Sequence, residues 1–144
     1  MSLLDLFTSG KHRKAKTYFA DLVKIAFADG SMDKNELRYL EKMADKLDIS
    51  DSEFTKILEH PDKYTGETPI SYDERIEQLY YFTNMILADN EVKLDEVKVI
   101  RKIAVGLGFP VKNVEVVADE AIFLVMNGNS LKDFNASIKA VNTL

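Results

Sequence analysis

The fold is decided by residues 28–49, ADGSMDKNELRYLEKMADKLDI, because residues 88–109, ADNEVKLDEVKVIRKIAVGLGF, repeat this stretch at an offset of 60 positions. The identical pairs are Ala28/Ala88, Asp29/Asp89, Glu36/Glu96, Lys42/Lys102, Ala44/Ala104 and Leu47/Leu107. Hydrophobic character is kept at Met32/Val92, Leu37/Val97, Leu40/Ile100, Met43/Ile103 and Ile49/Phe109. An internal repeat of this kind predicts two structurally similar halves, at about residues 14–60 and 74–126.

Apolar residues at helical spacing lie on both sides of each repeated turn. In the first copy, the apolar residues before the turn Asp29-Gly30 are Tyr18, Phe19, Leu22, Val23, Ala26 and Phe27. Those after it are Leu37, Leu40, Met43, Ala44 and Leu47. Glycine closes helices readily, and Asn90, at the same place in the second copy, is the next most tolerant residue. Each copy therefore predicts a helix, a turn and a second helix.

Further helices complete the two halves. A third helix is expected from about Ser50, and a sixth is opened by Pro110. Ser130 is expected to cap a last helix at about residues 130–142. The polar segment 61–72 reads as a connection, and Pro61 ends the helix before it. We predict an all-α protein of about seven helices in two pseudo-symmetric halves, forming one domain over residues 1–144, with a short extra helix allowed at residues 3–7.

Composition excludes several classes of protein. The 144 residues are 46% hydrophobic and 30% charged, which suffices for a sizeable core without disulfide bonds. No cysteine is present, so thiolate metal sites and cysteine nucleophiles are excluded. The net charge of −5 argues against nucleic acid as a partner. Because the first residues lack the pattern of a secretory signal and no apolar run spans a bilayer, we expect a cytoplasmic protein.

The repeated turns carry the strongest chemical signal. Each half supplies an aspartate at the end of one helix and a glutamate one turn into the next, namely Asp29, Glu36, Asp89 and Glu96. If the two halves bring them together, these four carboxylates are suited to a hard divalent cation. An EF-hand cage is excluded, because Ile25 and Phe27 stand where two of its oxygen ligands should be.

The same residues have a structural interpretation. Asp33 and Glu36 form a D-x-x-E capping box, in which both side chains satisfy free backbone N–H groups at a helix start. Lys93 stands at the position of Asp33 in the second copy and cannot supply the capping oxygen. Capping therefore accounts less well for Glu96 than for Glu36, and both interpretations stay open.

No catalytic constellation can be assembled from the sequence, so we expect no enzyme. His12 and His60 are the only histidines, and no phosphate-binding glycine loop or G-x-S-x-G motif is present. His60-Pro61-Asp62 matches the tripeptide of J-domain co-chaperones. The acidic stretch before it, where a J domain has a basic helix, argues against that role.

The N-terminal segment offers a second candidate surface. Leu3, Leu4, Leu6 and Phe7 are followed by the basic residues Lys11, His12, Arg13, Lys14 and Lys16. Such a segment could touch an anionic membrane or an acidic partner, and a peripheral membrane adaptor using residues 2–16 is one alternative function. Because so few apolar residues give only marginal membrane affinity, docking of the segment on the helices or fraying is preferred.

The repeated pattern resembles that of the TerB-like family. In each copy, an apolar helix ends in A-D-G or A-D-N, a glutamate follows seven residues after the aspartate, and a hydrophobic stripe comes next. That family includes the tellurite-resistance protein TerB and the N-terminal domain of DjlA-type co-chaperones. The resemblance covers about residues 14–125 and departs at Asn90, where the family has glycine. It implies a helical fold of two halves, a metal-binding acidic surface corresponding to Asp29, Glu36, Asp89 and Glu96, and a role in bacterial stress or tellurite resistance.

Together these observations predict a non-enzymatic accessory protein that binds a divalent metal or an unidentified protein partner through an acidic surface. No organic cofactor is expected. The alternative, from a different class, is a purely structural protein-interaction module whose acidic residues are helix caps.

Overall fold

The computed structural model describes residues 12–26, 34–64, 71–88 and 92–143. Seven α-helices and one 3-10 turn, with no strand, make up the regular structure of these residues, which confirms the predicted all-α class. The chain divides into two compact units, residues 1–69 and 70–144. The division lies inside segment 61–72, which the sequence predicts to be the connection.

The first unit contains three helices and a 3-10 turn. They are α1 (His12–Ala26), α2 (Lys34–Lys46), α3 (Asp51–Glu59) and the 3-10 turn Pro61–Lys63. Its buried side chains include Phe19, Leu22, Leu40, Met43 and Ile57. Helix α3 ends at Glu59, two residues before Pro61, so the prediction that this proline ends the third helix is confirmed.

The second unit contains four helices: α4 (Tyr72–Ile86), α5 (Leu94–Gly106), α6 (Val111–Met126) and α7 (Leu131–Val141). Helices α4 and α6 each pack against the other three helices of the unit. The side chains of α4 show how deeply this packing buries a helix. Its side chains Ile76, Leu79, Phe82, Met85 and Ile86 are almost completely buried.

Helix α3 begins after Ser50, as the sequence predicts, and the structure adds a capping box there. The Ser50 hydroxyl accepts a hydrogen bond from the Glu53 N–H at 3.2 Å, while the Glu53 carboxylate accepts one from the Ser50 N–H at 3.0 Å. This reciprocal pair satisfies two N–H groups that the first turn of α3 would otherwise leave free. Ser130 caps α7 as expected, and Pro110 directly precedes the first residue of α6. The short helix allowed at residues 3–7 lies outside the described residues.

The internal repeat extends to burial. The aligned pairs Leu40/Ile100, Met43/Ile103, Ala44/Ala104, Leu47/Leu107 and Ile49/Phe109 are buried at both positions. Both copies therefore place the same stripe of the second repeat helix, α2 or α5, in a core. This is the arrangement that the sequence alignment predicts.

The two repeat helices also end in the same way. Asp48 and Gly108, which are aligned in the repeat, adopt left-handed backbone conformations with φ of 59° and 91°. In each copy the next residue donates its N–H back across the last turn, from Ile49 to the Ala44 carbonyl at 2.9 Å and from Phe109 to the Ala104 carbonyl at 3.2 Å. These bonds form Schellman motifs. The motif turns the chain so that Ile49 and Phe109 return to the core.

Leu40 and Ile100 allow a direct test of the repeat. Both are fully buried, so truncation of either to alanine should lower the free energy of unfolding by about 2–5 kcal/mol through lost burial and a residual cavity. Chemical denaturation followed by circular dichroism measures this. The exposed Lys98→Ala, also on α5, is the control and should change stability by no more than about 0.5 kcal/mol. A near-neutral Leu40→Ala or Ile100→Ala would contradict the alignment in that half.

Asp73 in the first turn of α4 is held by two residues of α7. Its carboxylate lies 2.7 Å from the Lys139 ammonium and accepts a hydrogen bond from the Asn135 amide at 3.1 Å. The hydrogen bond to Lys139, then that to Asn135 and the charge of Lys139, lower the pKa of Asp73 from its ordinary value. Because the pKa of Asp73 is lower in the folded state, its contacts stabilise the fold fully above the unfolded-state pKa. This stabilisation is lost as pH falls through the folded-state pKa of Asp73.

Replacement of Lys139 by methionine should therefore raise the pKa of Asp73 toward its ordinary value. The charged partner and its hydrogen bond are both removed, while the Asn135 bond is kept. An NMR titration of the Asp73 carboxyl carbon measures the change, with the exposed Lys132→Met on the same helix as control. Equal titration of Asp73 in both variants would show that the contact with Lys139 is absent in solution.

Candidate functional site

The structure places two of the four predicted metal ligands at equivalent positions. Glu36 lies partly exposed in the first turn of α2, and Glu96 lies in the first turn of α5. Asp29 and Asp89 lie outside the described residues. The proposed meeting of the four carboxylates therefore stays a prediction.

Glu96 has a structural role at the start of its helix. The side chain is only 1% exposed, and its Oε1 accepts a hydrogen bond from the Lys93 backbone N–H at 2.8 Å. Lys93 supplies no side-chain acceptor, as the sequence indicates, so one half of a capping box is formed without the other. This half is sufficient to explain a buried carboxylate, because the charge lies at a helix N-terminus with an N–H donor.

A metal bound by Glu96 would have to share it with this cap. The oxygen donors of the predicted set suit a hard cation, but one lone-pair site of the Glu96 carboxylate is already used by the Lys93 N–H. In the described ranges, no group of three or more histidine, aspartate or glutamate residues is arranged to hold a metal ion. Asp33, the other member of the capping box predicted for Glu36, lies outside those ranges.

The first unit contains a cavity that the sequence analysis did not predict. Its volume is about 390 Å³, and it lies against α2 and α3. The lining residues are Glu41, Ala44, Asp45, Ile49, Asp51, Phe54 and Thr55. Ala44 and Ile49 are buried, Phe54 is half-buried, and the three acidic residues are exposed. The cavity thus has an apolar floor and an acidic rim.

The rim of the cavity carries three carboxylates. Glu41 and Asp45 are four positions apart on α2, so their side chains lie on the same face, where like charges disfavour the helix slightly. Asp51 adds a third carboxylate from the first turn of α3. The ion pairs formed among the described residues involve none of the three. A cationic group entering the cavity would therefore relieve their mutual repulsion.

The equivalent place in the second unit has a different composition. At the offset of 60 residues, Glu41, Asp45, Asp51 and Thr55 correspond to Arg101, Val105, Val111 and Glu115. The Arg101 guanidinium lies 3.4 Å from the Asp119 carboxylate and 3.7 Å from that of Glu115, so it links α5 to α6. This divergence within the repeat was the available sequence signal for the cavity.

The second unit also places apolar side chains on its surface. Leu94 on α5 and Val111 and Phe123 on α6 are between 61% and 80% exposed. No helix in the described part of the chain is long and apolar enough to cross a membrane. The N-terminal membrane or partner surface predicted for residues 2–16 lies largely outside the described residues, and it stays a prediction.

Comparison with known proteins finds a family match within the first unit. The model of the family described as Tellurite resistance protein TerB matches residues 11–59. This range contains α1, α2 and α3 together with the acidic cavity, and it supports the TerB-like assignment that the repeated motif indicates. No curated protein and no solved structure matches the chain.

The predicted metal site can be tested by thermal melting with calcium, magnesium, manganese or zinc at constant ionic strength. A cation at about a hundred times its dissociation constant that binds only the folded state adds about 2.7 kcal/mol, roughly 5–10 °C in melting temperature. We expect this shift in the wild type and its loss in Asp29→Asn/Asp89→Asn. Glu96→Gln, which keeps an oxygen for the Lys93 N–H, separates ligation from capping. Absence of any shift in the wild type would leave the carboxylates as caps and surface groups.

Proposed function

We propose that this TerB-like protein is a non-enzymatic, cytoplasmic accessory protein of bacterial tellurite resistance or stress response, and that it binds a protein partner through the acidic surface of its first unit. The association with tellurite resistance rests on the TerB match at residues 11–59. The partner-binding role rests on the cavity between α2 and α3.

The single observation that carries this proposal is the combination of an apolar floor with an acidic rim. Ile49 and Phe54 offer apolar surface, while Glu41, Asp45 and Asp51 supply charge at the opening. Concave sites with an apolar lining and a few polar groups are the usual form of binding pockets. Charged groups at the rim of such a site steer an oppositely charged partner and select against others.

Catalysis by this cavity is disfavoured by its chemistry. Its lining residues include no histidine, lysine or cysteine. Thr55 supplies the one side-chain hydroxyl, and that hydroxyl donates to the Asp51 backbone carbonyl at 3.0 Å. The hydroxyl is thus engaged by its own helix and is not paired with a carboxylate that could act as its base. A binding role needs none of these groups.

A protein partner is favoured over a metal ion at this place. The three carboxylates do not form a metal-holding group within the residues that the structure describes. A protein surface can instead place basic groups beside each carboxylate and an apolar group on the floor. Because the carboxylates are exposed, partner binding should weaken as salt concentration rises.

The proposal is tested in the host organism after deletion of the gene. Wild-type protein should restore tellurite resistance, whereas Glu41→Gln/Asp45→Asn/Asp51→Asn should not, because it removes the acidic rim while keeping the size of the side chains. Growth inhibition by tellurite is the measurement, and circular dichroism checks that the variant is folded.

A matched control is available in the second unit. Glu77→Gln/Glu120→Gln/Asp133→Asn changes the net charge by the same amount at residues that do not line the cavity, and it should restore resistance like the wild type. Full resistance with the rim variant would overturn the proposed function. Equal loss with both triple variants would also count against it, because overall charge and not the rim would then be responsible.

A further inference from the structure

We infer that the outward surface of α5 and α6 is a two-fold interface through which the protein forms a homodimer. This inference goes beyond the proposed function, because it concerns the second unit and not the acidic cavity. It rests on the position of the exposed apolar side chains and on the arrangement of the charges between them.

The exposed large hydrophobic side chains are concentrated on one part of the chain. Among the residues that the structure describes, all of them lie within residues 92–126, and those on α5 and α6 are Leu94, Val105, Val111, Val116, Phe123 and Met126. Leu94 and Val105 are three helical turns apart and Val116 and Phe123 are two, so each pair lies on one face of its helix. A concentration of exposed apolar surface on a soluble protein marks an interaction site.

The internal repeat shows that folding does not require apolar residues at these outward positions. Leu94 and Val105 align with Lys34 and Asp45, which are exposed on α2. The buried stripe of the same two helices is apolar in both copies. Since charged residues suffice on the outward face of α2, contact with another molecule accounts for the apolar residues on that of α5.

The charges on this surface are separated by helix. Lys98 and Arg101 lie on the exposed face of α5, whereas Glu115 and Asp119 lie on α6 with side chains that are 74% and 59% exposed. Within the described part of the chain, the Arg101 guanidinium donates one hydrogen bond, to Asp119 at 3.4 Å, although such a group has five N–H donors. Both the basic and the acidic helix therefore retain capacity to bind a second molecule.

This separation of charge makes the surface complementary to itself. Helices α5 and α6 pack side by side, and a two-fold axis along the line between them would place α5 of each copy opposite α6 of the other. Arg101 would then face Glu115 and Asp119 of the second copy, and the same contact would occur twice. A partner of a single charge would instead meet like charge on one of the two helices, so a second copy of this chain fits best.

The same axis also matches the apolar side chains. Leu94 and Phe123 each lie 12 residues from the turn that joins the helices, counted from Gly106 and Val111 respectively. They would meet at the end of the interface far from the turn, whereas Val105 and Val111 would meet at the end beside it. The interface thus has apolar contacts at both ends and ion pairs between them.

The test is sedimentation equilibrium of the full chain from low micromolar to submillimolar concentration. We expect the mass to rise from 16.3 kDa toward twice that value. Leu94→Lys/Val105→Asp, which introduces the residues of the first copy without changing the net charge, should raise the dimer dissociation constant by about tenfold or more. The control Ala136→Asp/Ala140→Lys makes a matched exchange at exposed positions of α7 and should dimerise like the wild type. Circular dichroism checks that each variant is folded.

A charge exchange between chains tests the two-fold arrangement. Arg101→Glu and Asp119→Arg should each dimerise more weakly than the wild type, because each places like charges opposite one another at both contacts. An equimolar mixture of the two variants restores opposite charges at both contacts, so it should associate more tightly than either variant alone. Pairing within one chain could not produce this recovery.

Three results would overturn the inference. The first is a wild-type protein that remains monomeric throughout the concentration range. The second is a dimer that Leu94→Lys/Val105→Asp leaves unchanged, or a mixture that associates no better than its components. The third is dimerisation only after deletion of residues 2–16, which would assign the surface to that segment of the same chain. None of these results depends on the outcome of the tellurite experiment.

Discussion

Burial of one apolar stripe on the second helix of each repeat is the interaction on which both units depend. In the first unit the stripe is Leu40, Met43, Ala44 and Leu47, and in the second it is Ile100, Ile103, Ala104 and Leu107. Isolated helices of this length are marginal in water, so this packing, more than helix propensity, stabilises them. The left-handed turns at Asp48 and Gly108 extend the stripe by returning Ile49 and Phe109 to the core.

Conserving the stripe leaves the outward positions of the repeat free to diverge. Glu41 and Arg101 occupy the same place on equivalent helices, yet one borders an acidic cavity and the other forms ion pairs across a helix interface. Neither changes the buried side of its helix. The two halves can therefore share an architecture while their outward residues differ, and the half that contains the acidic cavity is the one that the TerB family model matches.

Glu96 illustrates how an acidic residue in a suggestive motif acquires a different role. Its spacing from Asp89 favours a metal ligand, but its carboxylate is buried and accepts the Lys93 N–H. The acidic residues of the cavity differ from Glu96 in the opposite way, because an unremarkable sequence pattern places them beside a concave surface. Glu41 and Asp45 resemble the solvated face of an amphipathic helix in the sequence, yet together with Asp51 they border a concave apolar surface.

The sequence by itself determined the helical class, the repeat, the buried positions and most helix boundaries, because helical periodicity and capping are local properties. Ser50, Ser130 and Leu40 could each be assigned from a few neighbouring residues. Only the tertiary structure decided which surface acids act together. Glu41 and Asp51 are separated by ten positions and a turn, and they line one cavity together with Ile49 and Phe54. A local pattern does not show which residues of two helices come to border one cavity, because that depends on how the chain folds between them.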